Sequence, residues 1–151
     1  MTGSLIIGLG SSHGDDQAGW LVIDFLRSLG VAENAVRKAA HPADILSWSR
    51  AELSLTICDA GYPHGQPGRV GRWSWPEDKL EASRLCGTHD LPLADVLALG
   101  RQTGCCPDQV EIWTIEGAVF EAMTAATPPV AEAARQVAEQ VWQRQWETSR
   151  A

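Results

Sequence analysis

The chain has 151 residues and a net charge of -7 at neutral pH, with 44% hydrophobic and 21% charged residues, which fits one globular domain with one sizeable core. Its 12 basic residues are scattered, and that argues against nucleic acid as a partner, because affinity for a phosphate backbone needs clustered Lys and Arg. No stretch approaches the roughly 20 apolar residues of a membrane span, and no basic segment precedes the apolar run Leu5–Leu9, so the expectation is a cytoplasmic protein with no signal peptide and no membrane insertion.

Ser4–Leu9 is a continuous β-rich run bounded by Gly8 and Gly10, the pattern of a central parallel strand buried on both faces. Asp15 or Asp16 can then cap a helix carrying Trp20, Ile23, Leu26 and Leu29 at helical spacing, with Gly30 as its stop. Ala35–Ala40 predicts a second strand, and Pro42–Arg50 a short helix with Pro42 in its first turn. Leu53–Cys58 is a strong strand that ends at Asp59, followed by a Gly- and Pro-rich loop over Gly61–Gly68. Val70–Trp75 alternates in the manner of an edge strand. Trp75–Gly87 has no clear period and predicts a loop with partial helix. Leu93–Gly100 is helical, with Leu93, Val96 and Leu97 on one side and Gly104 available to close it. Val110–Ile115 is the last strand, and Pro128–Trp146 the last helix, with Val130, Ala134, Val137 and Val141 on one face. The C-terminal Glu147–Ala151 is expected to fray. Strands alternating with helices predict a single α/β domain over residues 1–151, with an ordered core of about 3–146. It is a three-layer sandwich whose mainly parallel, twisted sheet has about five strands, with helices on both faces.

Cys58, Cys86, Cys105 and Cys106 form no CxxC pair, so a zinc-ribbon or thioredoxin reading has no support. They read as reduced, half-buried thiols.

In open parallel sheets, functional groups gather beyond the carboxyl ends of the strands. Three segments place polar groups there: Gly8 to Asp16, Thr56 to Gly61, and Cys86 to Asp90. The first is GxGxxxG and misses the dinucleotide fingerprint by one residue, and Asp15 and Asp16 would repel a pyrophosphate at the helix start. No GK[ST] follows, so no nucleotide cofactor is expected. Paired carboxylates suit a cation instead. One Asp can cap the helix while the other projects into the crevice, and spacing alone does not choose between them. Asp59, at a strand end, and His89, ahead of an amphipathic helix, can complete a site of N and O donors for zinc, nickel or a similar ion. The plain alternatives are two capping carboxylates, a turn Asp and a polar His. His13, His41 and His64 are alternative ligands, with His13 nearest the pocket. Nucleophilic catalysis has less support: Ser11 and Ser12 lie in no GxSxG elbow, and no family signature surrounds Cys86. Trp73, Trp75 and Trp113 read as core or rim residues, and seven tryptophans leave room for an apolar peptide groove.

The order of these motifs resembles the hydrogenase maturation protease family. Gly8-Leu9-Gly10-Ser11 followed by Asp15-Asp16-Gln17-Ala18-Gly19 resembles its GxGN-type loop with an acidic pair and Gly. Ile57-Cys58-Asp59-Ala60 ahead of Pro67-Gly68 resembles its strand ending in Asp with a downstream PG. Thr88-His89-Asp90-Leu91-Pro92-Leu93, leading through Gly104 and Pro107 to Val110–Ile115, resembles its His before a Leu- and Ala-rich helix and a strand. The similarity runs over roughly residues 4–145. Ser11 stands where the usual Asn would be, Gln17 replaces a small residue, and the loop is one residue shorter than the common form.

The resemblance implies an α/β sandwich in which Asp16, as the projecting carboxylate, joins Asp59 and His89 as the metal-contacting and catalytic residues. It implies an aspartyl-type endopeptidase that recognises nickel already installed in a nickel–iron hydrogenase large-subunit precursor and removes its C-terminal extension. The nickel would be presented by the precursor, and the enzyme is expected to be a monomer. Two alternatives use the same crevice: a non-catalytic metal-binding or maturation-complex module, and a peptidase acting on a different substrate.

Overall fold

The structure, a computed structural model, describes residues 3–78 and 92–147. Five strands form one sheet: β1 (Ser4–Leu9), β2 (Val36–Ala39), β3 (Ser54–Gly61), β4 (Val70–Trp75) and β5 (Val110–Glu116). Their order is β2-β1-β3-β5-β4. β1 pairs in parallel with β2 and β3, and β3 with β5, while β4 runs antiparallel along β5. Among the described residues four α-helices accompany them: α1 (Ala18–Ser28), α2 (Ile45–Trp48), α3 (Leu93–Thr103) and α4 (Pro128–Trp142). The expected α/β architecture is the one observed. No described helix is long and apolar enough to cross a membrane.

The sheet is covered on both faces, which is why its central strands read as unbroken apolar runs. Alternate residues divide between two cores. Ile6, Cys58, Ala60, Trp113 and Ile115 pack under α1 and α4, against Val22, Leu26, Val130 and Val137. Leu5, Ile7, Leu55, Ile57 and Ile112 pack on the other face, against Ile45, Leu93, Val96 and Leu97. The stripe Val130, Ala134, Val137 and Val141 on α4 is fully buried, as its spacing predicts. Gly30 and Gly104 end α1 and α3 in left-handed conformation, with φ of 92° and 78°.

Four expectations need correction. β3 does not stop before Asp59: Asp59, Ala60 and Gly61 continue the ladder opposite Thr114, Ile115 and Glu116 of β5. A strand partner extended that segment, and small residues after an Asp do not announce one. Trp20 is only half-buried, because its indole N–H donates to the Ala39 carbonyl at 3.0 Å at the end of β2, and Val22 takes the core position instead. The last helix leaves α-geometry at Trp142 and continues as a π-turn over Gln143–Glu147. Cys58 and Cys106 are fully buried rather than half-buried, and Cys105 is partly so; all three are free thiols. The loop with partial helix expected over Trp75–Gly87 lies outside the described residues beyond residue 78, as do Cys86, His89 and the residues after Glu147.

The chain passes from β1 to β2 on one side and then crosses β1 to reach β3 on the other. Strand order therefore reverses between β1 and β3, the switch point at whose carboxyl ends open parallel sheets form their crevice.

Candidate functional site

Two of the sequence-predicted residues meet at that crevice. Asp59 sits in the last turn of the ladder on β3, on the face it shares with Leu55 and Ile57, and is 2% exposed. Its Oδ1 accepts the Ala60 backbone N–H at 2.8 Å. Asp16 lies in a 3-10 turn, Gly14–Gln17, between β1 and α1. Its Oδ2 accepts the Ser11 hydroxyl at 2.6 Å, and its backbone carbonyl accepts the Ser11 N–H at 3.3 Å, so the loop after β1 grips this residue at both ends.

Gly19 makes the approach possible. A Cβ there would stand 2.2 Å from the Leu9 carbonyl oxygen and 2.4 Å from that of Cys58. Without one, the first turn of α1 presses onto the ends of β1 and β3 together. Gly8 does the same from the strand side, where a Cβ would come within 2.1 Å of the Gly19 carbonyl oxygen.

The two carboxyl groups are close enough to feel each other. Burial pushes the Asp59 pKa well above the usual carboxylate range, the charge of Asp16 adds to that, and the Ala60 N–H opposes it weakly. Without a cation, Asp59 therefore favours its protonated form. A divalent cation held there would favour the charged form by supplying positive charge. The adjoining Cys58 points to the opposite face, and its thiol is pushed far up by burial, with Glu111 and Asp59 adding to the effect. It is no nucleophile.

Asp15 does something the sequence did not indicate. Neither member of the acidic pair caps a helix of its own: the caps before the 3-10 turn and α1 carry no side-chain hydrogen bond. The fully buried Asp15 carboxylate instead accepts the N–H groups of Ala118 and Val119 at 2.7 and 3.0 Å, and the N–H and hydroxyl of Thr127. It ties the turn that holds Asp16 to the connection between β5 and α4. Gly14, at φ 55°, has the Val119 carbonyl oxygen where a Cβ would be, 2.3 Å away. Glu116 is a second residue that sequence reasoning missed. At the carboxyl end of β5 its Oε2 accepts the Gln66 N–H at 2.5 Å, which fixes the loop after β3. A strand-end acid after Val110–Ile115 was the only signal available for it.

His89 lies outside the described residues, three positions before Pro92, where the described chain resumes and enters α3 on the face shared with Asp59. The other histidines are accounted for differently. His13 Nδ1 accepts the Met123 N–H at 3.3 Å, His41 is exposed beyond β2, and His64 lines a cavity next to Asp59. Among the described residues, no three His, Cys, Asp or Glu side chains gather as a metal site. Asp16 and Asp59 thus provide two oxygen-donor groups at the crevice, suited to a hard or borderline cation once a further ligand joins them.

No family model and no curated protein sequence matches the chain. Solved structures do. The NiFe hydrogenase maturation protease HybD from Thermococcus kodakarensis superposes with a TM-score of 0.75 at 21% identity, over 95% of this chain and 98% of that one. The hydrogenase maturating endopeptidase HybD from E. coli gives 0.72 at 22% identity, over 97% and 94%. The NiFe hydrogenase maturation protease HycI from T. kodakarensis gives 0.69 at 22%, over 93% and 90%. The chain shares the fold of these maturation proteases over 93–97% of its length, and the resemblance carried by its motifs holds at the level of fold.

Proposed function

We propose that this protein is a hydrogenase maturation endopeptidase. It recognises nickel in a nickel–iron hydrogenase large-subunit precursor and hydrolyses the peptide bond that joins the C-terminal extension. The observation that carries the reading is the pairing of a buried Asp59 with Asp16 across the β1/β3 switch point, in a fold whose solved relatives are named as maturation proteases. A buried carboxyl beside a second carboxylate is costly to ionise without a cation. That makes the site responsive to a metal brought by the substrate.

In this reading Asp16 and Asp59 engage the nickel of the precursor, with His89 as the nitrogen ligand, and so position the scissile bond. Ser11 orients the Asp16 carboxylate, while the Ala60 N–H holds one oxygen of Asp59. The positive charge of the cation offsets the burial that disfavours an ionised Asp59. In the same reading the enzyme works as a monomer in the cytoplasm.

Incubation with nickel-loaded precursor, followed by intact mass spectrometry, tests this directly. Loss of a C-terminal peptide is expected with the wild type, and its absence with Asp16→Ala, Asp59→Ala and His89→Ala. Normal cleavage by all three variants would overturn the site. Stable binding by the wild type with no peptide released would mark a non-catalytic maturation-complex module.

A further inference from the structure

We propose that the cavity beside Asp59 is the subsite for the peptide segment next to the scissile bond, and that Arg69 recognises a carboxylate on that segment. This inference rests on the endopeptidase reading and adds a substrate preference to it.

The cavity measures about 420 Å³, within the range of ligand-sized pockets. It continues from the metal crevice by way of two residues. Thr114, in its wall, is the register partner of Asp59 on β5. Gly61, also in its wall, lies two residues beyond Asp59 on β3 and so on the same face. A peptide whose scissile bond is held at Asp16 and Asp59 runs into this space over the β5–β4 end of the sheet.

The walls suit an extended peptide. Trp73 offers an indole anchored to the Thr114 Oγ1 at 3.1 Å, and Tyr62 stands 39% exposed at the rim. Gly71 keeps the floor open, since a Cβ there would approach the Thr114 hydroxyl to 2.7 Å.

The charges decide which peptide. Glu116 turns one carboxylate oxygen to the Gln66 N–H, and Arg72 is paired with Glu111 at 2.9 Å. Arg69 and His64, both exposed, line the cavity and form no ion pair with any described residue. In a chain of net charge -7, this leaves the Arg69 guanidinium as a cation in the cavity wall with no carboxylate partner among the described residues. A guanidinium there matches a carboxylate in a two-pronged hydrogen bond. The carboxylate can be an Asp or Glu side chain of the extension, or the free C-terminus of a short one.

Steady-state cleavage of nickel-loaded large-subunit precursor separates the possibilities. Arg69→Glu is expected to raise KM about tenfold or more with little change in kcat, as for a lost charged contact made equally in ground and transition states. Its thermal melting should be unchanged, because Arg69 is exposed. Precursor whose extension has Asp and Glu replaced by Asn and Gln should also show a raised KM with the wild type, and no further rise with Arg69→Glu. If the chain terminus is the group recognised, that precursor behaves normally, and one lengthened by a Gly-Ser tail shows the loss instead. Wild-type KM for Arg69→Glu on the parent precursor overturns the subsite while leaving the endopeptidase reading intact. No cleavage by the wild type overturns both.

Discussion

The Asp15 carboxylate holds Thr127 twice, accepting its backbone N–H at 2.6 Å and its hydroxyl at 2.9 Å. Thr127 is the residue from which α4 departs, so one buried side chain links the turn after β1 to the start of the last helix. Burial by itself raises the Asp15 pKa, but the N–H groups of Thr127, Val119 and Ala118 together lower it below its ordinary 3.8.

The first prediction concerns this anchor. Asp15→Asn turns an amide NH2 toward N–H donors that need an acceptor, and leaves at least one buried donor unpaired. The expected cost is about 3 kcal/mol or more, read as a lower denaturation midpoint. Because the folded-state pKa is depressed, the contribution of Asp15 is fully present above pH 3.8 and is lost as pH falls through the folded value. The stability difference between wild type and variant should therefore shrink in acid. A difference that holds constant down to the acid transition would contradict the assignment.

Asp59 predicts the opposite sign. Its pKa is raised in the folded state, so the native protein binds more protons than the unfolded chain between pH 3.8 and the folded value. Wild-type stability in the absence of metal should fall as pH rises through that window and level off above it. Asp59→Asn keeps an oxygen for the Ala60 N–H without the ionisable group. It should be more stable than wild type at neutral pH, with a flatter pH profile, while cleaving no precursor. Denaturant melts in chelator-treated buffer across pH check this, and a destabilised Asn variant would sink it.

Much of this was legible in the sequence because apolar periodicity survives whatever packs against it. Ser4–Leu9 and Val110–Ile115 stand out as strands since both faces of the sheet are covered. The face of α4 is readable because one stripe meets the core. Gly30 and Gly104 mark helix ends because φ near 80–90° excludes most other residues. The partner of Asp15 was not legible, since Ala118, Val119 and Thr127 lie more than a hundred residues away, and backbone N–H groups carry no sequence signature. Gly19 looked like a family landmark, but its physical reason, carbonyl oxygens of two strands where a Cβ would be, exists only once the helix is laid across them. The extension of β3 past Asp59 was hidden for the same reason, since pairing with β5 decides it.

Gly19→Ala is a third test. Alanine favours a helix over glycine by about 1 kcal/mol in an exposed interior. Here the added methyl meets Leu9 and Cys58 backbone oxygens at 2.2 and 2.4 Å, and backbone cannot step aside as a side chain can. The expected net effect is destabilisation by about 2–3 kcal/mol, together with weaker metal binding as Asp16 is lifted from Asp59. Gly65→Ala is the control: φ is 95° there but the space is open, so only the backbone cost of about 1 kcal/mol is expected, with metal binding intact. Equal effects at the two positions would show that helix packing does not set the site.

The last prediction turns on Ser11, which stands where the related motif carries Asn. Its hydroxyl donates to Asp16 Oδ2 at 2.6 Å, while Asp16 returns a backbone carbonyl to the Ser11 N–H. Ser11→Ala removes the hydroxyl but keeps the backbone contact, so the turn should fold as before with its carboxylate free to rotate. Groups that orient a metal ligand typically contribute about 10–100-fold in affinity. Titration with Ni²⁺ should therefore show weaker binding by about tenfold for Ser11→Ala, with an unchanged melting temperature. Ser11→Thr, which retains the hydroxyl, should restore it. If Ser11→Ala binds Ni²⁺ like the wild type, the hydrogen bond orients nothing, and Asp16 does not need it to engage a cation.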